Sequence, residues 1–294
     1  MTDSVLTPAE QAAHDAALGR TEAWRDREGE RRLRGVVHTP PALARAMAER
    51  AHAALIELGA THGLADPSVH VVDPSCGTGT FLAAAHGVAT RDGAAPSRPW
   101  RMTGWDLDAD AVTSAQQALA STFDASGWPL HVEACDTLAQ AVEAPPGGRV
   151  VVLGNPPWAA RSENRGDAHI EALLEDFRRD ADGERLNERK LGVLSDAYVR
   201  FLRWSCEAVR GAEQGGVVSL VMNSSFVDGP VHRGLRAALG RWFEGVSIWD
   251  LGGSALVARQ SERDDNVFGV RPGVAVLTAW TRGGEPQRAM VRSW

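Results

Sequence analysis

Seven stretches rich in β-branched and aliphatic residues recur along the chain, and helix-like stretches separate most of them. They are VHVVDP (69–74), RMTGWDL (101–107), LHVEACD (130–136), RVVVLGN (149–155), GGVVSLVMNSS (215–225), GVSIWDLG (245–252) and VAVLTAWT (274–281). Near-continuous apolar runs suit strands buried on both faces, which parallel sheets require. The alternation predicts an α/β fold with a doubly wound, mostly parallel seven-stranded sheet. Crossovers are expected after the first five strands, and the last two are expected to close the sheet as a terminal β hairpin. Ligands in such sheets sit beyond the C-terminal strand ends, so those ends are where chemistry should be sought.

The helix signals agree with this alternation. In HTPPALARAMAERAHAALIELG (38–59), Thr39 is placed to cap and Pro40 suits the first helical position, with apolar residues at helical spacing up to Gly59. SDAYVRFLRWSCEAVRG (195–211) is apolar nearly all round and should be buried. Residues 159–192 read as a long loop with a helical piece around 168–179. Residues 1–35 are expected to form a helical extension outside the main domain, 36–294. The arginines of residues 20–36 are interleaved with acids, which fits a solvated helix face better than a phosphate-binding arm.

Composition removes several alternatives. The 294 residues carry a net charge of −7, unlike a chain that coats nucleic acid by itself. No apolar run approaches the ~20 residues of a membrane span, and no secretory signal is evident, so a cytoplasmic location without membrane association is expected. The three cysteines and nine histidines show no metal-ligand spacing, and no metal is expected.

The strand ends are more specific. DPSCGTGTFL (73–82) is a glycine-rich turn opening a helix, yet it matches neither the dinucleotide fingerprint nor a P-loop. Asp73 at its start would repel phosphate and suits a cationic group such as an ammonium or sulfonium. GWDLD (104–108) supplies Asp106 for a ribose diol, with Leu107 able to cover an adenine face. Asp108 is better read as the cap of the next helix. CDTL (135–138) offers Asp136 to an adenine amino group. Three successive strands ending in acids describe a site for S-adenosylmethionine. The fourth strand ends GNPPW (154–158), whose prolines fix the backbone and could hold one polar amide, Asn155, and one aromatic ring, Trp158, in set positions. The stretch could equally be only a stiff loop, with Trp158 a core aromatic.

HTPPALARAMAERA, DPSCGTGTFL, GWDLD, CDTL, GNPPW, DAYVRFLRWSCEAV, GGVVSLVMNSSFVDG and NVFGVRPGVAVL occur in that order over residues 31–283. This pattern resembles the gamma class of DNA amino-methyltransferases, most closely the methyltransferase domains of single-chain restriction-modification and phage-defence enzymes. The resemblance implies a Rossmann-like class I methyltransferase fold using S-adenosylmethionine. It also implies transfer to N6 of an adenine flipped from double-stranded DNA, with cytosine N4 as the open alternative. It assigns cofactor contacts to Thr39, Pro40, Asp73, Pro74, Ser75, Cys76, Gly77, Gly79, Asp106, Leu107 and Asp136. Catalysis falls to Asn155, Pro156, Pro157 and Trp158, and base stacking to Trp158 and Phe268. Two departures stand out. Trp158 replaces the commoner tyrosine or phenylalanine, and no target-recognition domain is evident, so the expectation is a separate specificity domain or subunit, with a fragment of a longer enzyme or a substrate other than duplex DNA as the open alternatives. The other readings are methylation of a protein glutamine or small-molecule amine, and a non-catalytic subunit with this fold.

Overall fold

The structure is a computed structural model that describes residues 39–91, 97–158, 168–188, 191–252, 273–284 and 290–293. The expected extension over residues 1–35 and the proposed stacking residue Phe268 lie outside the described residues.

All seven expected strands are present: β1 Val69–Asp73, β2 Arg101–Asp106, β3 Leu130–Ala134, β4 Arg149–Gly154, β5 Gly216–Asn223, β6 Gly245–Asp250 and β7 Val274–Thr281. A short β8, Met290–Ser293, which the alternation did not reveal, adds parallel to β6, giving the order β3-β2-β1-β4-β5-β7-β6-β8. Among the described strands only β7 runs against the others, inserted between β5 and β6. The expected hairpin is thus the β6–β7 pair, but it lies inside the sheet's edge rather than at it.

Helices cover both faces. On one lie α1 Pro41–Glu57, α2 Thr80–Ala89 and α3 Ala109–Ser126, which bury Met47, Leu55, Leu82 and Leu119 in one core with Val71, Val151, Leu153, Val217 and Val276. On the other, α4 Ala168–Leu173 is followed by α5 Ala197–Gly211, the short α6 Ser225–Asp228 and α7 Arg233–Trp242. Their Phe201, Leu202, Phe226 and Leu235 pack with Val72, Val150, Val152, Val218 and Leu220. Successive valines of β1 and β4 therefore feed opposite cores, which explains the unbroken apolar runs.

Local chemistry sets the boundaries with one correction. Thr39 does not cap α1: Pro40 holds the cap position, Pro41 starts the helix, and no side chain caps it. Proline at the first position has no N–H to be capped, which leaves the Thr39 hydroxyl for another partner. Asp108 does cap α3, its carboxylate accepting from the N–H groups of Asp110 and Ala111 at 3.0 and 3.2 Å. Asp108→Ala should cost about 1 kcal/mol in denaturant unfolding. It should leave cofactor affinity, read by calorimetry, at the wild-type value. In α5, a charged side chain is buried within the apolar pattern. Arg203 is 2% exposed and paired with Asp176 and Glu207 at 2.8 and 2.9 Å, its guanidinium over the Trp242 ring.

The β4–β5 pairing places a demand on glycine. Gly216 has φ +145°, and a Cβ there would lie 1.8 Å from the carbonyl oxygen of Val150. Gly216→Ala should therefore break the centre of the sheet, at the upper end of single-substitution costs, about 4 kcal/mol or more. Chemical denaturation of the purified variant would read that loss directly.

Candidate active site

Strand order places the topological switch between β1 and β4: from β1 the chain winds outward through β2 and β3, and from β4 through β5. Two loops leave adjacent strand ends at this point, Asp73-Pro74-Ser75-Cys76-Gly77 after β1 and Asn155-Pro156-Pro157-Trp158 after β4. A crevice at such a point is where open α/β sheets bind ligands.

The β1 turn is held from three sides. The N–H of Cys76 donates to the Trp105 carbonyl at 2.9 Å, joining the turn to β2. The N–H of Gly77 donates to the Asp106 carboxylate at 2.8 Å. The hydroxyl of Thr137, just after β3, donates to the Pro74 carbonyl at 2.7 Å. Gly77 and Gly79 have φ of +50° and +88°, values that disfavour a side chain, and Gly79 is the cap position of α2. No atom lies within 4 Å of a Cβ built on Gly77, whereas one on Gly79 would strike Leu119. Gly77 thus borders open space, while Gly79 permits packing against α3.

Asp73 is 1% exposed. One of its oxygens accepts from the Ser75 N–H at 3.2 Å, whereas Oδ2 is buried without a hydrogen-bond partner. Burial pushes this carboxyl well above the usual carboxylate range, and the charge of Asp106 pushes it further. Asp106 is raised as well, mainly by burial, although the N–H groups of Asp108 and Gly77 oppose the shift. An orphaned carboxylate oxygen in a buried acid pair is costly unless a cation meets it. The same burial and the same two acids push up the Cys76 thiol, and Cys135 rises to about 11, so neither is a ready nucleophile.

Leu107 is 45% exposed, a large apolar side chain left uncovered beside Asp106. Asp136 accepts from the Leu138 N–H at 3.1 Å, capping the short turn Thr137–Ala139. It joins the cluster through its neighbour Thr137.

The two loops touch. The Ser75 hydroxyl donates to the Asn155 main-chain carbonyl at 3.0 Å. A Cβ on Gly154 would lie 2.9 Å from Asp73 Oδ1 and 3.0 Å from Pro74, so glycine lets β4 pass this close to the acid. The Asn155 side chain donates from Nδ2 to the Thr39 hydroxyl at 3.2 Å and accepts at Oδ1 from the Trp158 indole N–H at 2.9 Å. Trp158 is half-buried against the core beneath the α1 face, between the stacking and core roles expected of it.

The structure therefore connects Thr39, Asp73, Pro74, Ser75, Cys76, Gly77, Asp106, Asn155 and Trp158. Thr137 belongs to the same network and was missed: a threonine following a strand-end acid reads as ordinary turn chemistry. Among the described residues, no group of three or more His, Cys, Asp or Glu side chains could hold a metal ion. No described helix is long and apolar enough to cross a membrane.

No known family's sequence model matches the chain, and no curated protein does. Solved structures do. The ATP-dependent type ISP restriction-modification enzyme LlaBIII bound to DNA is 18% identical with a TM-score of 0.68, covering 88% of this chain and 20% of that one. The DrdV–DNA complex is 22% identical with a TM-score of 0.68, covering 90% and 28%. A nuclease-deletion mutant of the type ISP restriction-modification enzyme LlaGI, in complex with a DNA substrate mimic, is 17% identical with a TM-score of 0.67, covering 88% and 24%. At these identities the likeness is one of fold, and the chain spans no more than 28% of any of the three. The class defined is a doubly wound α/β fold that also forms part of restriction-modification enzymes.

Proposed function

We propose that the chain is an S-adenosylmethionine-dependent methyltransferase acting on the exocyclic N6 amine of adenine flipped out of duplex DNA, in a restriction-modification or phage-defence setting. The observation that carries this reading is the direct bond between the turn bearing the orphaned Asp73 carboxylate and the loop bearing Asn155. One loop suits a cation and the other an amine, and they share one crevice.

When bound, the cofactor supplies an electrophilic methyl group on a sulfonium. Asp73 would meet its ammonium, Asp106 its ribose hydroxyls, and the exposed face of Leu107 its adenine. The main chain of Ser75, Cys76 and Gly77 would line the amino-acid end, with Thr39 and Pro40 closing from α1. An adenine amine is a poor nucleophile because its lone pair is delocalised into the ring. The Asn155 carboxamide oxygen and the Pro156 carbonyl would accept its two hydrogens and favour the pyramidal form, an effect that strengthens as positive charge develops. Pro157 stiffens the loop, so positioning carries much of the rate. The amine nitrogen would take the methyl as the sulfonium–methyl bond breaks, its electron pair staying on sulfur, and would release a proton to solvent. A base inside a duplex cannot reach such a crevice and must be flipped out, after which Trp158 would stack on it for about 1–3 kcal/mol. DNA contact and base choice would draw on a separate specificity domain or subunit.

The test is transfer of labelled methyl from the cofactor to DNA of mixed sequence, followed by nucleoside analysis. Label on N6-methyladenine is the expected result. Label on N4-methylcytosine would change the base and keep the mechanism, whereas label on protein with none on DNA would overturn the substrate.

A further inference from the structure

An asparagine carboxamide is nearly symmetric in shape, and its terminal torsion has two broad wells. Rotation by half a turn exchanges a hydrogen-bond acceptor for a donor. For Asn155 the difference is decisive, because an amine can be received by the oxygen and is opposed by the NH2 group. Something must choose the orientation.

Two neighbours of the Asn155 carboxamide differ in what they permit. The Thr39 hydroxyl donates or accepts, so it fits either orientation. The Trp158 indole N–H donates only. It lies 2.9 Å from Oδ1, while Nδ2 faces Thr39 at 3.2 Å. With the amide reversed, the indole N–H would face an NH2 group, donor against donor. A carboxamide oxygen can take two hydrogen bonds, so the indole bond is compatible with an incoming amine. Phenylalanine and tyrosine rings offer no N–H at this position. The Ser75 hydroxyl holds the Asn155 main-chain carbonyl at 3.0 Å, so the backbone from which the carboxamide projects is tied to the β1 turn.

From this geometry we infer that Trp158 is a positioning residue as well as a stacking platform. Its indole N–H selects the Asn155 rotamer that presents Oδ1, and Thr39 holds the opposite side. The inference rests on the proposed function for its catalytic consequence and on the two side-chain bonds alone for its structural content.

The experiment joins two readouts. In 15N-labelled protein, the Trp158 indole signal is identified as the one missing from Trp158→Phe. Asn155→Ala should shift that signal and speed its exchange with solvent; an unmoved signal would overturn the inference. In methyl-transfer kinetics on DNA, Trp158→Phe keeps an aromatic face but loses the donor. It should lower kcat about tenfold, the scale of one lost hydrogen bond, with KM changed less than about threefold. A role in stacking alone would raise KM and spare kcat, and that result would also overturn it. Thr39→Val removes a partner that fits either orientation, so it should lower kcat less than Trp158→Phe does; an equal or larger loss would overturn Trp158 as the selecting group, and a wild-type melting curve for Trp158→Phe guards against misfolding. If the wild type transfers no methyl to DNA, the proposed function fails, and the indole signal still decides whether Trp158 orients Asn155.

Discussion

Asp73→Asn is expected to melt at a higher temperature than the wild type in the absence of cofactor and to lose cofactor binding. Both effects come from one carboxyl group, 1% exposed, with Oδ2 lacking a partner. Burial and then the neighbouring Asp106 raise its pKa in the folded state above 3.8. Between the unfolded and folded values the folded protein holds a proton that the unfolded chain has released. Stability therefore falls as pH rises through that interval and stays reduced above it. Asparagine is nearly isosteric, keeps an oxygen for the Ser75 N–H, and carries no charge to bury. Each kcal/mol recovered would appear as roughly 2–4 °C in a chain of this size. The gain should shrink as pH is lowered toward the ordinary carboxylate range.

Binding moves in the opposite direction. A buried carboxylate facing a cation contributes about 2–5 kcal/mol when one partner is truncated, so the variant should lose about 30-fold or more in affinity. Because a cation needs the ionised form, wild-type affinity should rise with pH, with proton release on binding, until Asp73 is ionised in the free protein. Calorimetry in buffers of different ionisation enthalpy measures both the affinity and the protons. A variant that binds as tightly as the wild type, with no lost proton release, would remove Asp73 from the cofactor site.

The fold was legible because its central strands are buried on both faces and end in residues that a sheet interior excludes. VHVVD and RVVVLG read as strands for the same reason that they feed two cores. Asp108 was legible because a cap reaches only two or three residues along the chain. Thr39 misled because two prolines follow it: the second starts the helix, and the hydroxyl turns 116 residues along the sequence to Asn155. The bracing of the β1 turn was hidden likewise, since Ser75 reaches Asn155 over 80 residues and Thr137 reaches Pro74 over 63. A pattern of residues marks which groups gather at a sheet edge. It does not say which hydroxyl meets which carbonyl, because crossover lengths and the β1–β4 switch set those distances. Arg203 gave no warning for a related reason: its partners Asp176 and Leu173 come from a segment with no strong periodicity of its own.

Asn155→Ala should lower the methyl-transfer rate by about 10²–10³, the usual cost of removing a preorganised group that meets developing charge. Cofactor affinity should stay within about twofold of the wild type. The reason is geometrical: Ser75 donates to the main-chain carbonyl of Asn155, which alanine retains, so the two loops remain joined. Asn155→Asp separates acceptor capacity from the carboxamide itself. A carboxylate accepts from the Trp158 indole and from an amine, and the Thr39 hydroxyl can turn to donate to it. Its charge, however, would sit half-buried on a loop joined to the acidic β1 turn. The aspartate variant should therefore exceed the alanine variant in rate by about tenfold at high pH and approach it as pH falls and the new carboxyl takes a proton. Single-turnover labelling across pH, with cofactor binding measured on the same preparations, reads both slopes. Equal rates for the two variants at every pH would mean that an acceptor at this position is not what Asn155 contributes, and the amine would have to be met by the Pro156 carbonyl alone.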